Sequence, residues 1–220
     1  MLENFTVLSP HLDDAIWSLG GFLKNVETPN NIRVINIFSE HTFIYGKLED
    51  PKVASRVRRL EDTRALNSAG ITNIIYLDFS EALLRGYSFD EMFMDTDAEL
   101  EDPATNELDK SLRRLISSSD TILIPACFGG HVDHYVTRNV ALTLPGKQLF
   151  YEDLPYAARK ERRGIAENFL TGRKEVSIPV TGEMLKDHAQ LIQLYESQIA
   201  ERHSIQINKY IEENGFHLWI

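Results

Sequence analysis

Strand-length apolar runs alternate along this chain with segments of helical spacing, and that alternation limits the fold more than any other feature. The runs lie at 4–8 (NFTVL), 32–38 (IRVINIF), 71–79 (ITNIIYLDF), 121–126 (TILIPA) and 148–152 (QLFYE). Between the first two, Ile16, Leu19, Phe22, Leu23 and Val26 recur at helical spacing over 13–26. A second helix is expected over 52–69, stopped by Gly70 as its C′ residue, and others over about 105–118 and 133–143. Strands without polar alternation are buried on both faces, and each strand–helix–strand step suits a parallel crossover. The expectation is a doubly wound, mostly parallel sheet with helices on both faces, a Rossmann-like three-layer α/β sandwich. Residues 1–220 read as a single domain.

Beyond residue 155 the pattern weakens. A basic connector over 158–163 precedes a strand at 175–180, a helix at about 182–201 and a polar C-terminal tail. The segments 80–104 and 158–174 are candidate lids or excursions.

Charge and cysteine usage narrow the function classes. The net charge of −10 argues against a nucleic-acid partner, which needs a concentrated basic face. Cys127 is the single cysteine, so neither an internal disulfide framework nor a Cys-rich zinc module is available. No apolar run reaches membrane-spanning length, and MLENFTVLSP has no basic stretch ahead of an apolar one. A cytoplasmic protein acting on a small molecule is expected. Oligomeric state is left open, a homo-oligomer included.

In an open parallel sheet, ligands gather at the carboxyl ends of the strands. Two clusters sit there. Pro10-His11-Leu12-Asp13-Asp14 follows the first strand, and His131-Val132-Asp133-His134 follows the fourth strand and the Gly129-Gly130 turn. Together they offer His, carboxylate and His as metal ligands, with a carboxylate and a His to spare. Three such ligands and an open position are the format of a catalytic metal site. Helix capping explains one Asp near a helix start, but not two with a His. Among other residues, His41 reads as an exposed loop histidine, Cys127 as a small buried residue, and Tyr151, Tyr156 and Trp17 as core aromatics. The Arg159–Arg163 run reads as a solvated helix face, with an anionic substrate group as the alternative.

PHLDDA at 10–15 and HVDH at 131–134 resemble the two signature motifs of the LmbE/PIG-L family of zinc-dependent N-acetyl-sugar deacetylases. Arg58-Arg59-Leu60-Glu61 with Ala65 and Gly70 resembles its R-x-x-E…A…G helix, and Lys186 with Ser197-Gln198 its late K…SQ segment. The resemblance implies one Zn2+ per chain, or another divalent metal, on His11, Asp14 and His134. It implies Asp13 as general base, and a protonated His131 as oxyanion stabiliser or acid. Asp133 maps to a partner that orients a histidine, and Arg58 to a position that holds the substrate. The implied reaction is hydrolysis of the N-acetyl group of an N-acetylglucosamine-type conjugate. Ala15, Leu12, Val132 and Tyr195 depart from the usual pattern and leave the substrate class open. Competing readings are hydrolysis of another amide or ester, a phosphoester among them, and a non-catalytic sugar-binding protein on the same fold.

Overall fold

The computed structural model describes residues 5–95 and 100–220. Residue 4 of the first expected strand and residues 96–99 of the 80–104 segment lie outside the described residues. The chain runs β1 (Phe5–Ser9), α1 (Asp14–Lys24), β2 (Ile32–Asn36), a hairpin of β3 (Phe43–Ile44) and β4 (Lys47–Leu48), α2 (Pro51–Ser68), β5 (Asn73–Tyr76), α3 (Thr105–Leu115), β6 (Thr121–Pro125), α4 (Val132–Ala141), β7 (Lys147–Tyr151), α5 (Gly164–Leu170), β8 (Glu175–Ile178), α6 (Gly182–Ile192), α7 (Glu201–Asn214) and β9 (Phe216–Trp219).

One seven-stranded sheet runs in the order β5-β2-β1-β6-β7-β9-β8. The first five strands are mutually parallel, and β9 pairs antiparallel with both β7 and β8. Strand order reverses between β1 and β6, so the winding direction changes there. Right-handed crossovers then place α1 and α2 on one face and α3 and α4 on the other. Packing agrees: α1 touches α2 and α6, and α3 touches α4. The crevice at this switch point opens between the loops that follow β1 and β6, which carry His11 and His131.

Local chemistry accounts for the elements that hold these loops. Every residue of β1 is buried, as expected for a central strand covered on both faces. Pro51 occupies the first turn of α2, where its missing N–H costs nothing. Asp50 caps that helix by accepting the N–H groups of Lys52 and Val53 at 3.0 and 3.3 Å. Gly70, at φ +82°, ends it in the left-handed region, as expected. Gly21 lets α1 and α6 approach closely, since a Cβ there would lie 2.4 Å from the Met184 carbonyl oxygen.

The C-terminal quarter departs from expectation. The helix expected over 182–201 stops at Ile192, because the chain turns back to lodge Ser197 beneath α2. The expected polar tail is instead α7 and β9. Ser204, Ile207 and Ile211 form the buried stripe of α7, too sparse to stand out among its charged neighbours. In β9 the residues Phe216, Leu218 and Trp219 are buried between β7 and β8. Within the 80–104 segment, residues 92–94 are tied down beside the site: Met94 N–H donates to Gly130 O at 2.8 Å, and Val132 N–H to Met92 O at 2.9 Å. Among the described residues no helix is long and apolar enough to cross a membrane.

The buried face of α2 carries Asp62, whose carboxyl accepts from Asn36 Nδ2, Tyr76 Oη and Tyr195 Oη, each at 2.9 Å. Burial pushes it up to about 8 against these neutral donors. Because the folded value lies above the unfolded value of about 3.9, stability from this group is fully present below pH ~4 and is lost as pH rises through about 8. Thermal melts from pH 5 to 8.5 should therefore fall for the wild type with a slope of up to ~1.4 kcal/mol per pH unit, and flatten in Asp62→Asn. Parallel slopes in the two proteins would show that Asp62 is ionised throughout.

Candidate metal centre and active site

The two clusters converge. His11 Nδ1 lies 3.3 Å from Asp14 Oδ2, and His134 Nε2 lies 3.1 Å from the same oxygen. The ligand atoms of His11, Asp14 and His134 are all within 4.8 Å of one another, and all three residues are buried. Each imidazole is held from behind by a carboxylate. His11 Nε2 donates to Asp133 Oδ2 at 2.8 Å, and His134 Nδ1 to Asp153 Oδ1 at 2.5 Å. Held this way, both rings turn their other nitrogen toward Asp14, which is how carboxylates orient metal-binding histidines. His134 Nε2 is buried without a hydrogen-bond partner, since Asp14 is near but out of line. Burial pulls the His11 imidazolium down, but hydrogen bonds to Asp133 and Asp14 carry it up to about 9. The surroundings favour positive charge at this point, so the donor set fits a divalent cation.

A second trio, His11, His131 and Asp133, is equally compact but suits a cation less well. Its Asp133 is already neutralised by Arg85 Nη1 at 2.7 Å and takes the Ala82 N–H at 3.0 Å. Its His131 accepts the Asp133 N–H on Nδ1 at 3.1 Å, as the N-cap of α4. That bond puts the His131 proton on Nε2. Burial and the nearby His11 charge press His131 down to about 3. With Nδ1 taken by the Asp133 N–H, His131 lines the pocket with Nε2 as its N–H donor, where the resemblance implied a protonated ring. Gly130, at φ +70°, makes this turn possible, because a Cβ would lie 2.3 Å from Met94 O.

Asp13 stands beside the ligand trio rather than in it. Its Oδ2 accepts from Arg58 Nη2 at 3.2 Å. Burial raises its carboxyl, with the Arg58 charge opposing. A buried carboxylate raised toward neutrality and facing a pocket is suited to proton transfer. The pocket, about 370 Å3, is lined by His11, Asp13, Asp14, Arg58 and His131 together with aromatic walls from Trp17, Phe43, Phe89, Phe93 and Tyr156.

Residues 6–144 match the sequence profile of the family described as PIG-L, GlcNAc-PI de-N-acetylase. The chain belongs to the PIG-L family. A 2'-N-acetylparomamine deacetylase of Streptomyces fradiae is 29% identical over 204 residues, covering 87% of this chain and 72% of that protein. Two solved structures share the fold. One is a deacetylase–teicoplanin complex from the teicoplanin biosynthesis pathway (TM-score 0.73, 20% identity, 98% of this chain and 97% of that one). The other is the zinc-inhibited form of teicoplanin deacetylase Orf2 (TM-score 0.71, 20% identity, 98% and 97%).

The structure joins the two weaker PIG-L motifs into one contact. Glu61 accepts the Ser197 N–H at 2.8 Å and its hydroxyl at 2.6 Å, and Gln198 Nε2 donates to Phe43 O at 2.9 Å. Arg58, expected at the substrate, is nearly buried and turned onto Asp13, with Glu81 4.0 Å away. Lys186 is exposed and has no place in the site. His41 is fully buried rather than exposed, its Nδ1 bonded to Glu81 at 2.9 Å. Tyr151 and Cys127 are core residues, as expected, but Trp17 and Tyr156 line the pocket. Asp153, Arg85 and Glu81 were not anticipated. Asp153 follows β7, so the strand-end rule that singled out His11 and His131 would also have reached it.

Proposed function

We propose that this chain hydrolyses the N-acetyl group of an N-acetylglucosamine-type conjugate, releasing acetate and the free amine. The observation that carries the reading is the meeting of His11 Nδ1, Asp14 Oδ2 and His134 Nε2 at the pocket that His11, Asp13 and Asp14 line. Those three residues would hold one divalent cation, with Zn2+ the ion that best suits a His/His/carboxylate set. Bound there, such a cation supplies Lewis acidity, lowering the pKa of water and polarising a carbonyl oxygen. Asp13 takes the proton of the attacking water and returns it to the departing nitrogen, with Arg58 fixing its orientation. His131 Nε2–H donates to the carbonyl oxygen as negative charge develops there, a contribution of roughly 3–4 kcal/mol for a well-placed donor. Asp133 keeps the His11 tautomer correct, and the aromatic walls suit the apolar faces of a sugar ring. The deacetylase names of the relatives point the same way.

Acetate release from N-acetylglucosaminides, with and without chelator, tests the reading. Release that chelator abolishes and Zn2+ restores is expected, with no phosphate from matched phosphoesters. Metal-loaded protein that frees no acetate from any acetamido sugar, or release that ignores chelator, would sink it.

A further inference from the structure

The carboxylate behind His11 is a charge in the protein interior, and its supports come from outside the two signature clusters. Asp133 is fully buried. Its Oδ2 accepts from His11 Nε2 at 2.8 Å and from the Ala82 N–H at 3.0 Å, while its Oδ1 has no aligned hydrogen bond. The group facing Oδ1 is the Arg85 guanidinium, with Nη1 2.7 Å away. A buried carboxylate without a cation is strongly disfavoured, so what Arg85 supplies here is charge more than alignment.

Arg85 is held in its turn. Its side chain is 8% exposed. Asp102 Oδ2 accepts from Nε at 3.2 Å, from Nη2 at 2.8 Å and from Tyr87 Oη at 2.9 Å. Ser80 O accepts from Nη1 at 2.7 Å. The Phe38 ring lies 4.6 Å from the guanidinium carbon. Asp102 is fixed as well, because its Oδ1 accepts the Ala104 N–H at 2.8 Å just ahead of α3. A guanidinium bonded through Nε, Nη1 and Nη2 alike has little room to move. Its position sets where Oδ1 of Asp133 lies, and so which oxygen meets His11.

The same short piece of chain faces the pocket. Ala82–Arg85 is one helical turn, and its Ala82 N–H and Arg85 side chain both meet Asp133. Glu81 and Leu83 line the pocket, whereas Arg85 does not. One wall of the pocket and the support of a metal-facing histidine are thus built from neighbouring residues.

We propose that Arg85 is a positioning residue of the metal centre, fixing Asp133 and through it His11, and so tying the pocket wall at 81–83 to the ligand set. The proposal rests on the ligand set of the reading above and adds a residue that touches neither substrate nor cation.

Zn2+ affinity, measured by competition with a chelator, reads this link without turnover. Arg85→Gln should weaken Zn2+ about 10–100-fold, the range for a lost partner behind a ligand. Arg85→Lys should stay within about tenfold of wild type, since an ammonium restores the charge but not the fork. The deciding measurement is a double-mutant cycle with Asp133→Asn. Because Arg85 acts through Asp133, its removal from the Asp133→Asn protein should change Zn2+ affinity by less than about twofold. A general loss of structure would weaken both backgrounds alike. Where Arg85→Gln fails to fold, Asp102→Asn reads the link from its far side with Arg85, Asp133 and His11 all in place. It should weaken Zn2+ about threefold or more, and only while Asp133 is present. Affinity within about twofold of wild type in Arg85→Gln, or in Asp102→Asn standing in for it, would overturn the role of Arg85, as would equal losses in the two backgrounds. A wild-type protein that binds no Zn2+ would instead remove the ligand set, and the deacetylase reading with it.

Discussion

Asp13→Asn is expected to lower kcat by about three orders of magnitude while bound metal stays at the wild-type level. The substitution keeps the shape of the side chain and leaves an oxygen for Arg58 to address at the present 3.2 Å. What it removes is the capacity to accept a proton. Asp13 is not among the three atoms that crowd together at His11, Asp14 and His134, so the ligand set is untouched. The loss should therefore appear in kcat, with KM changed little, since the amide has no ground-state bond to this group that asparagine cannot replace. Steady-state kinetics on an N-acetylglucosaminide, paired with metal analysis of the same preparation, decides the matter. Metal falling in step with activity would move Asp13 into the coordination sphere. Activity within about tenfold of wild type would assign the proton transfer elsewhere.

The parts of this site that were legible in the sequence are those written locally. His11, Asp13 and Asp14 lie within four residues of a strand end, and His131, Asp133 and His134 within another four, so each cluster announces itself without the fold. The parallel sheet was legible for a similar reason: doubly buried strands have no polar alternation to confuse their boundaries. The groups that were not legible act across distance in the chain. Asp153 reaches His134 across 19 residues. His41 is buried because Glu81, 40 residues later, satisfies it. A loop histidine without that partner would stay in water. The tail misled because β9 is four residues long and earns its place only by slotting between β7 and β8. That strand, with α7 before it, sets one wall of the molecule and presents Arg202 and His203 to the pocket.

His134→Ala should abolish metal binding and, with it, activity, whereas Asp153→Asn should retain the metal with about 10–100-fold weaker affinity. The first removes one of three ligand atoms, and the remaining pair of His11 and Asp14 lacks the geometry to close a site. The second acts through the imidazole. Asp153 accepts two donors, His134 Nδ1–H on one oxygen and the Phe128 N–H on the other at 2.9 Å. Asparagine has one acceptor oxygen for those two positions. If its oxygen stays with Phe128, its amide faces Nδ1 and drives the His134 proton to Nε2, the nitrogen that must be bare to bind a cation. If its oxygen stays with His134, the Phe128 N–H is left buried and unpaired, which costs roughly 1–3 kcal/mol of stability. Metal titrations and thermal melts of the same variant separate the two outcomes, because the first shows in affinity and the second in Tm. His134→Ala that keeps its metal at wild-type affinity would overturn the ligand set. Asp153→Asn with neither quantity moved would show that His134 is oriented by its own packing within α4 and against Tyr156, and not by the carboxylate behind it.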